Sequence, residues 1–255
     1  MRIPPYWICD RRVVRGKYVR KYYISDVSLE DARLNRAPAA QLVESADSYH
    51  TPIYEPVLAV SDDCNVVTRN HYGCRVLNTT SVCFADVDTV PNTVGNRIRA
   101  IFGKGLTPEE RLLATIRSLA GQDSTLGVRV YRTVHGWRLV LAGQGISLQS
   151  PRMQQLFRLL NVDACYARLC RLQRCWRARI SPKPFFRGLK RFPFPLHSDW
   201  ESDSAAVAWV QNYETSTAGL AVCRLIAEIG ALINDPIVNW HDEVTFAMNH
   251  NLKLG

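Results

Sequence analysis

The stretch Ser81-Val-Cys-Phe-Ala-Asp-Val-Asp88 is an apolar run of β-branched and aromatic residues that ends in two carboxylates spaced i, i+2. Side chains alternate faces along a strand, so Asp86 and Asp88 project the same way, together with Val82 and Phe84. Two carboxylates at the end of a buried strand repel each other and lose hydration unless a cation or a basic side chain meets them. Oxygen ligands of this kind suit Mg²⁺ or Mn²⁺, which neutralise phosphate charge and activate an attacking hydroxyl. Aspartates in this position also serve as plain turn caps.

The complementary charge lies further along the chain. Between Ala164 and Ser198 there is no Asp or Glu, while Arg168, Arg171, Arg174, Arg177, Arg179, Lys183, Arg187, Lys190 and Arg191 all fall inside. Trp176, Phe185 and Phe186 interleave with them. Cations without counter-charge, mixed with aromatic rings, make a phosphate-binding surface. A solvated helix face accounts for Arg168 to Arg174, but not for arginines on a strand beside two acids. The net charge of +9 points the same way, toward polyanionic partners.

The elements that must position these groups follow from pattern. Residues 81–88 read as a strand. Thr107-Pro108-Glu109-Glu110 supplies an N-cap, a proline at the first helical position and a capping-box Glu, and Leu112, Leu113, Ile116, Leu119 and Ala120 continue at helical spacing. Gly127 to Thr133 and Trp137 to Ala142 alternate as strands around the His135-Gly136 turn, a hairpin. Ser150-Pro151 starts one helix, Asp163 caps another reaching about Arg174, and 176–181 is again a strand. Strand, helix, strand, strand, helix, strand is the split βαβ order of palm-like and RRM-like domains. The expected fold is therefore α+β: an antiparallel sheet with helices on one face, plus a C-terminal helical cap. The other face would display Asp86 and Asp88 with Arg129, Tyr131, Thr133, Arg138, Arg177 and Arg179.

The remaining segments frame this core. Residues 1–50 form a basic-aromatic arm followed by a helix over about 28–46 that Pro38 interrupts, 51–192 form the core, and 193–255 add helices. Leu220, Cys223, Ile226 and Ile229 stand at helical spacing, and His241-Asp242 reads as surface. Cys64, His71 and Cys74 contain no C-x-x-C pair and no evident fourth ligand, so zinc is not expected. No apolar run approaches a bilayer span, and Met1-Arg-Ile-Pro-Pro lacks a signal-peptide core. The expectation is a cytoplasmic protein with reduced thiols and no membrane partner.

Three segments resemble motifs of the archaeo-eukaryotic primase superfamily, primase-polymerases built on a palm-like sheet. Phe84-Ala-Asp-Val-Asp88 is similar to its metal-binding acid pair. Thr133-Val-His-Gly-Trp-Arg-Leu139 resembles its second motif, a small polar residue, a turn and then a His; here Arg138 stands where that His falls, and His135 occupies the turn. Arg177-Ala-Arg-Ile-Ser-Pro-Lys183 resembles the basic segment after the third acid, for which Asp163 is the nearby candidate. The resemblance spans about residues 81–190. It implies Asp86 and Asp88 as catalytic metal ligands, His135 as a catalytic group, Mg²⁺ or Mn²⁺ as cofactor, and nucleic acid with nucleoside triphosphate as partners. Candidate phosphate or nucleic-acid contacts are Arg129, Tyr131, Arg132, Arg138, Arg177, Arg179, Lys183 and Arg187. Three functions stay open: a metal-dependent nucleotidyl transferase, a catalytically inactive nucleic-acid binder on the same sheet, and a replication or regulatory interaction protein.

Overall fold

A computed structural model describes residues 1–14, 17–35, 51–101 and 103–255. The hairpin β1 (Tyr6–Val14) and β2 (Lys17–Ser25) precedes α1 (Leu29–Asn35). Strands β3 (Val57–Asp62), β4 (Asn65–Arg69), β5 (Arg75–Thr79) and β6 (Cys83–Val87) follow, then α2 (Val94–Ile101) and α3 (Pro108–Gln122). The hairpin β7 (Gly127–Arg132) and β8 (Trp137–Ala142) leads to α4 (Pro151–Leu159), α5 (Ala164–Gln173) and β9 (Trp176–Arg179). The chain ends in α6 (Ser204–Thr217), β10 (Leu220–Ala221), β11 (Arg224–Gly230), α7 (Pro236–Val244) and β12 (Lys253–Leu254). The architecture is α+β with antiparallel principal sheets, as the pattern predicts.

Local signals account for the elements that hold the site. Thr107 accepts from the Glu110 backbone and Glu110 answers the Thr107 backbone, a complete capping box under Pro108. The helix so started buries Leu112 and Ile116, each worth about 2 kcal/mol. Between β7 and β8 the turn is tight because Gly136 lies on the backbone of β6, where a Cβ would run into the Val87 carbonyl oxygen.

The sheet topology departs from expectation at two places. One four-stranded sheet has the order β11-β7-β8-β6, with Asp86 opposite Arg138 and Arg138 opposite Tyr131. The other has the order β3-β4-β5-β9. Thus β9 does not close the sheet of β6, as the split βαβ order predicts, but forms a ladder with β5, pairing Asn78 with Arg177 and Val76 with Arg179. Across the gap between the two sheets Tyr166 acts as a spacer: its hydroxyl accepts from the Arg177 amide at 3.4 Å and donates to the Phe84 carbonyl at 2.8 Å. The physical reason is that a strand has two edges, and the helix α5 brings a tyrosine rather than a backbone to one of them.

The second departure is at residues 220–230, which are strand and not helix. Gly219 and Gly230 sit at positive φ at its ends, and β11 pairs along β7 with a bulge between Leu225 and Ala227. The spacing of Leu220, Cys223, Ile226 and Ile229 satisfies a helix, but the open backbone edge of β7 makes the strand the better-bonded choice. The C-terminal region is consequently not a helical cap alone. Helix α7 lies over the sheet face that was expected to be open, with His241 against the rings of Phe84 and Tyr131 at 5.0 and 5.3 Å. The basic-aromatic arm is docked as well: Trp7, Cys9 and Ile24 form a second small core with Phe192, Phe194, Ala206 and Val210. Of the helix expected over 28–46, α1 covers the start, and the remainder lies outside the described residues.

Candidate functional site

The end of β6 and the end of β9 meet at a cleft of about 270 Å³. Asp86 is the penultimate residue of β6 and Asp88 lies just past its end. Asp163 reaches the cleft because it caps α5, its Oδ1 accepting from the Tyr166 amide at 2.6 Å while its own amide donates to the Asp86 carbonyl at 2.9 Å. From the other side come Arg179, the last residue of β9, and Lys183, which precedes a 3₁₀ turn at Pro184–Arg187. His135, in the β7–β8 turn, and Arg138, on β8, complete the wall. Six of the eleven candidate catalytic and phosphate-binding residues therefore converge here, Asp86, Asp88, His135, Arg138, Arg179 and Lys183, together with Thr133 and the third-acid candidate Asp163.

Five others do not, and each has a physical reason. Arg177 is buried and held by both oxygens of Glu55 at 2.7 Å, with Gln173 at 2.8 Å. Arg129 pairs with Glu228 and Asp242 beneath α7. Tyr131 is fully buried at the same layer, where burial and the nearby Asp242 push its phenol pKa up. Arg132 stacks on Trp137, 4.7 Å from its ring centre, away from the cleft. Arg187 is exposed on the 3₁₀ turn and does not line the cavity.

Arg138 is the pivot between the cleft and the interior. It is 1% exposed, yet it donates to Asp86 Oδ1 from Nε at 3.2 Å and to the Arg179 carbonyl from Nη1 at 2.6 Å. Burial opposes its charge most strongly, yet Asp86 and the other groups around it together outweigh that cost, so the guanidinium pKa is raised. Nη1 also faces His241 Nε2 at 3.4 Å, and His241 Nδ1 meets Asp242 Oδ1 at 2.9 Å. Burial first, and Arg138 second among the opposing charges, hold the His241 pKa below its usual value although Asp242 pulls upward. A neutral ring fits this network with the proton on Nδ1, directed at Asp242, and the Nε2 lone pair toward Arg138. His241 and Asp242 are thus buried parts of a chain running Asp86, Arg138, His241, Asp242, Arg129, and not the surface pair expected from sequence. The signal available in the sequence was the apolar stripe of α7, Val238 and His241 being one turn apart behind the Asp235-Pro236 start.

Arg179 and Lys183 differ from all of these. Among the described residues, the Arg179 guanidinium has no hydrogen-bond acceptor or ion-pair partner, and its Nε is buried and unsatisfied. Burial, and then Arg138, push its pKa down. Lys183 is likewise pushed down by burial and by Arg179, and its Nζ is left 5.8 Å above the Phe185 ring. Two larger hollows, of about 450 and 430 Å³, lie beside α3 and beside α7; in the first Arg111 donates to the carbonyls of Val90, Pro91 and Leu106, and in the second Arg129 pairs with Glu228 and Asp242.

One oxygen of Asp86 is taken by Arg138 and one of Asp163 by the α5 cap, and among the described residues no group of three or more His, Cys, Asp or Glu is arranged to hold a metal ion. Mg²⁺ is commonly held by one or two carboxylates together with phosphate oxygens of its ligand. Asp86 and Asp88 line the same cleft without closing a cage, so a cation held there would have to draw its remaining oxygens from its ligand. Among the described residues no helix is long and apolar enough to cross a membrane. A scan against family models finds no match to this chain, and no curated protein and no solved structure matches it.

Proposed function

We propose that the cleft binds the phosphates of a nucleotide or nucleic-acid chain and carries out metal-dependent nucleotidyl transfer of the primase-polymerase kind. The observation that carries the proposal is the nearly buried, acceptor-free guanidinium of Arg179 beside Lys183, within one small cavity with Asp86 and Asp88. A buried cation without a counter-ion is costly, and an anionic ligand relieves that cost with charge-assisted hydrogen bonds. Arg179 and Lys183 take the non-bridging oxygens. Asp86 and Asp88 are the residues that would hold Mg²⁺ or Mn²⁺, which when bound supplies charge neutralisation and a more acidic attacking hydroxyl. Arg138 fixes the orientation of Asp86, and His135, which lines the cleft, exchanges a proton with the entering group in this reading. A cytoplasmic location, where nucleic acid and triphosphates are met, belongs to the same proposal.

One observation favours a second reading, a catalytically inactive nucleic-acid binder. The Arg138 side chain already neutralises one oxygen of Asp86, which costs a binder nothing but leaves a metal only the other oxygen and a weakened negative charge. Titration calorimetry with Mn²⁺ in the presence of a nucleoside triphosphate separates the two, using the wild type and the Asp86→Asn/Asp88→Asn variant. Transferase activity requires metal uptake by the wild type, its loss in the variant, and nucleotide incorporation that follows the same pattern. Uptake also raises the melting temperature, by about 2.7 kcal/mol of added stability at a hundredfold excess over Kd. Absent metal uptake with phosphate affinity intact in both proteins, the binder is the correct assignment. Absent phosphate binding as well, both readings fail.

A further inference from the structure

A chain of aromatic rings runs along the mouth of the cleft. The rings of His71 and Tyr72 are 3.9 Å apart, Tyr72 and Phe185 6.3 Å, Phe185 and Phe186 5.6 Å, and Phe186 and His135 5.4 Å. Tyr72 is 46% and Phe185 52% exposed, so each ring keeps a face open to a partner beside the cleft. Both are offered by short, well-bonded turns. Asn70 Oδ1 accepts from the amides of Tyr72 and Cys74 at 3.0 and 3.1 Å, and Gly73 closes that turn at φ +95. Phe185 stands on the 3₁₀ turn that Gly188 ends at φ +67. Rings fixed in this way lose little conformational entropy when a ligand covers them.

Resting on the phosphate reading of the cleft, we propose that this cluster is a stacking platform for the unpaired bases of single-stranded nucleic acid, whose backbone phosphate lies on Arg179 and Lys183. Charge decides the occupant. Tyr72 and Phe186 line the same cavity as the two unpaired cations, and Lys183 is poised over the Phe185 ring. Exposed Arg187, Lys190 and Arg191 continue the positive surface on the same segment. Alternating rings and cations match the alternation of bases and phosphates along a single strand. A duplex keeps its base faces stacked inside and leaves the rings without a partner. An apolar peptide would satisfy the rings but not the cations.

The test compares anisotropy of three labelled probes of equal length: a single-stranded oligonucleotide, its abasic counterpart, and a blunt duplex. The wild type is expected to bind the base-bearing strand about tenfold or more tighter than the abasic one, with the duplex no better than the abasic strand. In Tyr72→Ala/Phe185→Ala the preference for bases disappears while abasic affinity stays unchanged. Tyr72→Trp/Phe185→Trp restores the preference, which separates stacking from a folding defect. Arg179→Met/Lys183→Met weakens all three probes and tests the phosphate reading on its own. Equal wild-type affinity for the base-bearing and abasic strands overturns the platform while the cleft stands. A preference that survives the double alanine variant, or a tighter duplex, overturns it too. If base preference is lost with the rings but Arg179→Met/Lys183→Met changes nothing, the platform holds and the phosphate reading falls. A wild type that binds none of the probes overturns both.

Discussion

Arg177 and Arg179 are two residues apart on β9, carry the same side chain and share one side of the strand in any local reading. At the inner end, Arg177 is clamped by Glu55 and Gln173 and its charge is fully compensated. At the outer end, Arg179 lends its carbonyl to Arg138 and leaves its guanidinium without an acceptor among the described residues. The same chemistry is therefore structural at one end and available for binding at the other. What differs is the counter-ion. Burying a cation is tolerable when a carboxylate is buried with it, and a buried cation left alone is either a defect or a site. Its place in a cleft with Lys183, Asp86 and Asp88 favours a site.

The comparison breaks most visibly in stability. Glu55→Gln or Arg177→Met strips one partner from a buried ion pair and should cost about 3 kcal/mol or more in urea unfolding, because the remaining group keeps its desolvation penalty. Phosphate affinity of the folded fraction should not change. A loss below about 1 kcal/mol would mean that the Arg177 end is as loosely compensated as the Arg179 end. Conversely, Arg179→Met should leave stability unchanged or slightly higher. Its effect belongs in binding, where losing a charged hydrogen-bond donor to phosphate is worth about 1.5 to 3 kcal/mol, on the order of tenfold to a hundredfold in Kd. Arg117→Gln is the control, since that side chain is exposed on α3 and does not line the cavity. Filter-binding with a triphosphate-bearing oligonucleotide decides the matter, and equal losses from Arg179→Met and Arg117→Gln would dissolve the distinction.

A smaller effect sharpens the contrast between the cleft and the satisfied layer under α7. His241 titrates below its usual value in the folded chain, because burial and then Arg138 disfavour its cation. Below the ordinary histidine pKa of about 6.5 the unfolded chain therefore binds more protons than the folded one, and stability falls as pH drops. The loss is at most about 1.4 kcal/mol per pH unit and continues until the folded ring itself protonates. In His241→Gln that contribution disappears, so the difference between the two stability curves, measured by thermal unfolding from pH 7 downward, should narrow toward acid. Parallel curves would show that folding does not shift the titration of His241, and curves that diverge toward acid that the ring is protonated in the folded state and the assigned tautomer is wrong.

Much of the scaffold was legible in the chain by itself. The capping box at Thr107, the hairpin around Gly136, the helix start at Asp163 and the acid doublet ending β6 are all written in residues within a few positions of one another. They are readable because caps, turns and side-chain periodicity depend on the backbone's nearest neighbours. Six candidate site residues could be named for the same reason: they lie in turns or near the ends of elements whose limits are set locally. The doublet and the basic segment could be named, but their meeting could not be derived from either alone.

Tertiary structure decided the rest, and it did so through partners far apart in sequence. Glu55 neutralises Arg177 from 122 positions away, and Asp242 does so for Arg129 from 113. His241 reaches Arg138 across 103 positions, on a helix whose placement over the sheet no local pattern announces. The pairing of β9 with β5, and the choice of strand over helix at 220–230, were settled by backbone edges that needed hydrogen bonds wherever the chain could supply them. Closing a longer loop costs only a logarithmic increment of entropy, so the distance along the chain neither forbids such partners nor marks them. Sequence determined which groups carry charge and which elements display them; the fold alone determined which of those charges found a counter-ion and which, like Arg179, were left to meet a ligand.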